Sequence, residues 1–112
     1  MWIFLNNAFL SVVAEKGRPD VLKVRGRFPG DIEKAFPEAK VTEGAGTDYR
    51  FRALVDREHV AQVMADAVRA IKATNFKDSV DQGWRHDLYL GVWGVMARGQ
   101  TSRQRQETSS GS

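Results

Sequence analysis

The sequence predicts a small α+β domain, a two-layer sandwich in which amphipathic helices cover one face of a mainly antiparallel sheet. Several short segments alternate between apolar and charged residues, which is the pattern of strands buried on one face. Residues 57–72 instead repeat their apolar positions every three or four residues, as amphipathic helices do. In chain order the elements are βββαββαα, and packing the helices on one side of the sheet buries the apolar faces of both.

Length and composition are those of one ordinary globular domain. The chain has 112 residues, 42% of them apolar and 28% charged, which excludes a fully disordered chain. We expect a single core within residues 1–98. There is no cysteine, which excludes disulfides and thiolate metal sites and favours the cytoplasm. The apolar residues 1–5 are too few for a signal peptide or a membrane span, so they predict a buried strand and no membrane association.

The first forty residues are predicted to form three strands and a short helix. Strands at residues 1–5 and 9–14 flank a tight turn at Asn6 and Asn7. The cluster of Gly17, Pro19 and Asp20 is expected to separate them from a third strand at residues 22–28. In that strand apolar and basic side chains alternate between the two faces. Asp31 is expected to cap a helix that ends at Pro37.

The middle of the chain is predicted to add two strands and the main helix. A weak strand at residues 40–42 and a glycine-containing turn at 44–46 precede a strand at residues 49–55. The helix that follows, capped by Asp56, has one apolar stripe that we expect to be buried. Its members are Val60, Val63, Met64, Ala67, Val68 and Ile71.

The last part of the chain leaves two interpretations open. Residues 84–98 suit a strand by their aromatic and valine content, whereas their length favours a helix. Gly91 and Gly94 each cost a helix interior about 1 kcal/mol relative to alanine. Residues 99–112 have no apolar side chain to bury and are predicted to be a disordered polar tail, whose final Gly111 and Ser112 are typical of a vector remnant.

Basic residues form the first predicted binding surface. Lys23, Arg25 and Arg27 share one side of the third strand, and Arg50 and Arg52 share one side of the fifth. On an open sheet face these five cations would bind nucleic-acid phosphates or an acidic protein. Exposed rings for base stacking are missing from this prediction, because Tyr49 and Phe51 are expected to point into the core. The alternative is an ordinary solvated face, in which Glu15, Glu43 or Asp48 neutralises some of the cations.

Aromatic residues of segment 84–98 form the second predicted surface. On a helix, its apolar side chains cover an arc wider than a two-layer core needs. Such a helix is expected either to pair with a second copy or a protein partner, or to lie deep in the core. The residues concerned are Trp84, Leu88, Tyr89, Leu90, Val92, Trp93, Val95 and Met96, of which Tyr89 and Trp93 are the predicted binding residues.

A polar cluster near the start of that segment is the third feature. Asp78, Asp81, His86 and Asp87 are residue types that hold divalent metals or act as acid and base. Their spacing matches no established metal loop, and adjacent residues diverge on a helix. The sequence therefore assigns no catalytic residue, no metal ligand and no cofactor.

Several blocks of the sequence are familiar as a set. They are Met1 to Asn6, Asp48 to Ala53, Asn75 to Ser79 and Arg85 to Trp93. Together they resemble a group of small uncharacterised bacterial proteins, and the resemblance implies a self-contained bacterial domain without implying an activity. The leading hypothesis is thus a non-enzymatic binding module for a protein partner or for itself. The alternatives are nucleic-acid binding through the basic face and a small enzyme centred on His86 and Asp87.

Overall fold

The chain folds as two compact units, Met1–Thr74 and Asn75–Ser112. The computed structural model describes residues 1–44 and 48–110, with the last two by their backbone alone. The order of strands and helices is the predicted βββαββαα, with a single added turn of 3-10 helix. The α+β class and the antiparallel sheet are therefore confirmed. A single domain over residues 1–98 stays a prediction, and the glycine turn at 44–46 lies mostly outside the described residues.

The first unit contains a five-stranded antiparallel sheet in which β3 is central. The strand order is β1-β2-β3-β5-β4, so β5 pairs with β3 and β4 forms the edge beyond β5. The strands are β1 (Trp2–Phe4), β2 (Phe9–Glu15), β3 (Arg18–Gly26), β4 (Thr42–Glu43) and β5 (Phe51–Asp56). The turn between β2 and β3 contains Gly17 at φ 79°, a conformation that glycine adopts without strain.

One face of this sheet forms the core with two helices, α1 (Asp31–Ala35) and α2 (Arg57–Arg69). The predicted alternation explains why this face is apolar. Val24 of β3 lies opposite both Val12 of β2 and Ala53 of β5, and paired residues project to the same side. The buried cluster consists of Leu10, Val12, Val24, Ile32, Phe36, Ala53, Val55 and Val60.

Helix α1 lies unusually close to the sheet because Gly26 has no side chain. A Cβ atom at Gly26 would stand 3.3 Å from Cγ1 of Ile32. Asp31, expected as the helix cap, is instead the first residue of α1, and Gly30 occupies the cap position at φ 85°. The buried Asp31 carboxylate accepts a hydrogen bond from the backbone N–H of Phe9 at 2.9 Å. This bond ties α1 to the start of β2.

Two expectations were wrong, one about where β3 begins and one about how much of α2 is buried. Pro19 belongs to β3 and does not interrupt it, which the start of a strand tolerates because proline lacks only the N–H donor. The apolar stripe of α2 is buried at Val60, which is 5% exposed, whereas Val68 and Ile71 are 66% and 70% exposed. Helical spacing places residues on one face, but it does not say how far the sheet extends beneath that face.

The second unit consists of the 3-10 turn at Lys77–Ser79 and one long helix, α3 (Gly83–Ser110). The helical interpretation of residues 84–98 is thereby confirmed. Beyond Arg98 the helix continues through residues predicted to be disordered, because helix hydrogen bonds are local and need no core. Side chains add to them: the hydroxyl of Thr108 donates to the carbonyl of Gln104 at 3.0 Å. Among the described residues, no helix is long and apolar enough to cross a membrane.

Candidate functional site

The sheet face opposite α1 and α2 carries polar and aromatic side chains, and we call it the outer face. Strand register aligns one residue from each strand in a single row across it. The row crosses the whole sheet at right angles to the strands, and its neighbouring members lie on strands about 4.8 Å apart. Its members in order are Trp2, Ser11, Arg25, Arg52 and Thr42.

Three of the five predicted cations are paired with carboxylates. Lys23 lies 3.6 Å from Glu15, and Arg27 lies 3.5 Å from Asp48. Arg50 lies 2.6 Å from Glu43. These are the carboxylates that the solvated-face alternative predicted as partners, so most of the predicted basic charge is neutralised locally.

The structure separates Arg50 from the other cations. Its guanidinium lies 4.9 Å from the centre of the Phe51 ring and beside Glu43 on the edge strand. Phe51 packs against the core, so Arg50 does not share the outer face with Arg52. The prediction failed because β5 begins at Phe51, and the alternation of a strand does not apply to the residue before it.

Tyr49 corrects the prediction in the opposite direction. It was expected to point into the core, but its ring lies 4.4 Å from the guanidinium carbon of Arg25 and 4.2 Å from that of Arg27. Both arrangements are within the range of cation–π attraction. Tyr49 also precedes β5, so sequence alternation could not assign its side. Tyr49 is 5% exposed, so its ring supports the two guanidinium groups and is not an exposed ring for base stacking.

Arg25 and Arg52 carry the positive charge that remains on the row. The Nη2 of Arg25 donates to the hydroxyl of Ser11 at 2.7 Å, while its buried Nε has no hydrogen-bond partner within residues 1–44 and 48–110. Over the same residues, no hydrogen bond or ion pair engages the Arg52 guanidinium. The two residues are direct cross-strand partners, and like charges in such positions repel. An anion placed between them would relieve that repulsion.

Aromatic rings extend the outer face at its β1 edge. The Trp2 ring is in edge-to-face contact with Phe9 at 6.3 Å, and Phe4 packs on Phe9 at 4.7 Å. Trp2 is 68% exposed, so residues 1–5 are not the buried strand that their composition predicted. Trp2 is therefore the exposed aromatic end of the row.

The second surface is the apolar side of α3. Seven large apolar side chains between residues 84 and 96 are 41–70% exposed. They occur on most sides of the helix, as the predicted wide arc required. They are Trp84, Leu88, Leu90, Val92, Trp93, Val95 and Met96.

The two predicted binding residues of this helix have different environments. Tyr89 is buried, stacked on Phe76 at 5.8 Å, and its hydroxyl oxygen is 3.4 Å from Nη1 of Arg85. Trp93 is exposed, with the Lys77 ammonium 4.5 Å from its ring centre. Trp93 is therefore available for contacts with another molecule, whereas Tyr89 stabilises its own unit.

Residues of the polar cluster and the neighbouring Arg85 have different environments. Arg85 is fully buried and donates to Gln82 at 2.7 Å, whereas the neighbouring Asp87 side chain is 84% exposed. Nδ1 of His86 is 3.9 Å from a carboxylate oxygen of Asp87. Throughout the part of the chain that the structure describes, no three His, Asp or Glu side chains are grouped closely enough to hold a metal ion.

Comparison with protein-family models, with curated proteins and with solved structures returned no match. The molecule is therefore classified by its own architecture, as a small α+β protein with a five-stranded antiparallel sheet. Membership of the group of bacterial proteins that it resembles stays a prediction.

Proposed function

We propose that this chain is a non-enzymatic binding module that pairs with a second copy of itself through α3. The observation that supports this function is the group of seven exposed apolar side chains within 13 residues of one helix. Contiguous apolar surface of this kind is typical of protein–protein contacts. The cysteine-free composition and the resemblance to bacterial proteins support a bacterial cytoplasm as its setting.

One side of α3 is suited to helix pairing. Trp84, Leu88 and Val95 lie close together on that side, because residues four and seven apart return to nearly the same angle on a helix. Gly91 lies beside them, and an added Cβ there would meet nothing within 4 Å. A second helix can therefore approach the backbone closely at Gly91 and pack its own apolar side chains around it.

The charges beside this stripe favour an antiparallel pair. Asp87 and Arg98 border it on the same edge, about three turns apart. In an antiparallel pair centred between them, Asp87 of each copy faces Arg98 of the other. In a parallel pair the edge that carries Asp87 and Arg98 would lie on opposite sides of the contact in the two copies, so these ion pairs would not form. Charge complementarity thus selects a second copy in the antiparallel orientation as the occupant.

Light scattering coupled to size-exclusion chromatography tests the pairing. We expect the wild-type chain to be dimeric and Leu88→Glu to dissociate at concentrations at least tenfold higher, because each pair would bury two carboxylates in apolar surroundings. Val68→Glu on α2 is the matched control, since Val68 is also an exposed apolar residue but lies outside the proposed contact. A monomeric wild type at all concentrations would refute self-pairing.

Charge exchange tests the orientation separately. Asp87→Arg and Arg98→Asp should each weaken the dimer by several-fold, and the double exchange should restore it because the two charges again face opposite partners. Added salt should reduce the difference in dimer affinity between the single and double variants, because it screens the charges. If the dimer dissociates at the same concentration in all three variants, the pairing would stand but the antiparallel orientation would be refuted.

A further inference from the structure

The row across the outer face is built from parts that recognise a polymeric anion. It begins with the exposed ring of Trp2 and ends with the adjacent Arg25 and Arg52. Ser11, between them, is buried and holds Arg25 through a hydrogen bond, so it does not contact the ligand itself. Trp2 and Arg52 are three strands apart, which is roughly 14 Å at the usual strand spacing. A ligand that contacts both must be longer than a single phosphate group.

The charge distribution indicates how many anionic groups the row accepts. Lys23 and Arg27 are neutralised by Glu15 and Asp48, and Arg50 is paired at the sheet edge with Glu43. Arg25 and Arg52 remain, as neighbours on the same face. The planar guanidinium binds phosphate oxygens in pairs, so the row offers two phosphate sites.

The ring of Trp2 distinguishes among polymeric anions. Single-stranded nucleic acid combines phosphates with unpaired bases, which stack on exposed aromatic rings irrespective of sequence. An acidic peptide has the charges without flat rings to stack. A duplex keeps its bases stacked inside and unavailable to Trp2.

We propose that this row binds a single strand of nucleic acid across the sheet. Arg25 and Arg52 contact phosphates, and Trp2 stacks on a base at the β1 edge. The proposed row belongs to the first unit, Met1–Thr74, whereas the proposed pairing concerns α3 of the second.

Titration of a labelled oligothymidylate at several salt concentrations gives the first test. Two phosphate contacts predict a slope of about −1.4 for the logarithm of the affinity against that of the salt concentration. Five contacts, as the sequence alone had predicted, would give about −3.5. Absence of binding at low salt, or a slope near the larger value, would overturn the proposed site.

Variants locate the site. Arg52→Gln should weaken binding and reduce the slope by about 0.7, corresponding to one lost contact. Trp2→Ala should weaken binding by about fivefold or more without changing the slope. Arg50→Gln is the matched control, because it removes the same charge two residues away from a side chain already paired with Glu43. Equal losses for Arg50→Gln and Arg52→Gln would contradict the site.

Competitors identify the ligand class, and the folded state of each variant is checked by thermal unfolding followed by circular dichroism. Unlabelled oligothymidylate should displace the label, while polyglutamate and duplex DNA of equal charge should be much weaker. Equal competition by polyglutamate would refute the assignment to nucleic acid in favour of an acidic protein. Equal competition by the duplex would refute base stacking on Trp2.

Discussion

Helices α2 and α3 show two different uses of apolar residues at helical spacing. In α2 the apolar residues occupy one stripe, whose first part, at Val60, is buried against β3 and β5. In α3 they extend from Trp84 around to Leu90 on another side, and they remain exposed. Spacing therefore predicts which residues share a face. Whether that face is buried depends on the extent of the surface that packs on it.

The largest difference in the free energy of unfolding is expected between substitutions at Phe36 in the core and at Trp93 on α3. Phe36→Ala should lower the free energy of unfolding of the first unit by about 3–5 kcal/mol, because it leaves a cavity among the other seven residues of the buried cluster. Trp93→Ala should change it by less than about 0.5 kcal/mol, as exposed substitutions do. Urea unfolding at low protein concentration measures both. Similar losses at the two positions would mean that α3 is as tightly packed as the core.

A smaller contrast is expected within α2 itself. Val60→Ala should cost about 2 kcal/mol, since it removes two buried methyl groups, whereas Val68→Ala should cost less than about 0.5 kcal/mol. The same unfolding experiment compares them, and the identical substitution on one helix removes differences of chemistry. A loss at Val68 as large as at Val60 would extend the buried stripe over the second half of α2.

The smallest effects are expected at two glycines. At protein concentrations low enough to keep the chain monomeric, Gly91→Ala should stabilise α3 by up to about 1 kcal/mol, because the new methyl group meets nothing within its own chain and alanine favours a helix. Gly26→Ala should instead destabilise by about 1 kcal/mol, since its Cβ would crowd Ile32 at 3.3 Å. Thermal unfolding of the two variants should therefore shift in opposite directions. A stabilised Gly26→Ala would show that α1 can move away from the sheet.

The fold was predictable because its elements have clear local patterns. Alternation located β3 and β5, and the stripe around Val60 located α2. Strand order was not predictable, since no local pattern indicates that β5 lies between β3 and β4. Composition predicts a disordered tail from residue 99 onward, which stays a prediction, and α3 continues to Ser110 through residues such as arginine and glutamine that favour a helix.

The candidate site was predictable only within the strands. Arg25 and Arg52 lie on the expected face because both are strand residues. Tyr49 and Arg50, immediately before β5, lie on sides that alternation did not predict. The neutralising carboxylates were anticipated by residue type, but which cation each would meet depends on tertiary distances.

The shortness of the two outermost strands determines how this sheet meets other molecules. β1 has three residues and β4 has two, so each edge offers few unpaired backbone N–H and C=O groups. Long unpaired edges allow sheets to join edge to edge and aggregate, whereas short edges disfavour this association. Contacts between this sheet and another molecule would consequently be made by side chains, and a single substitution would remove one contact while the sheet itself stays intact.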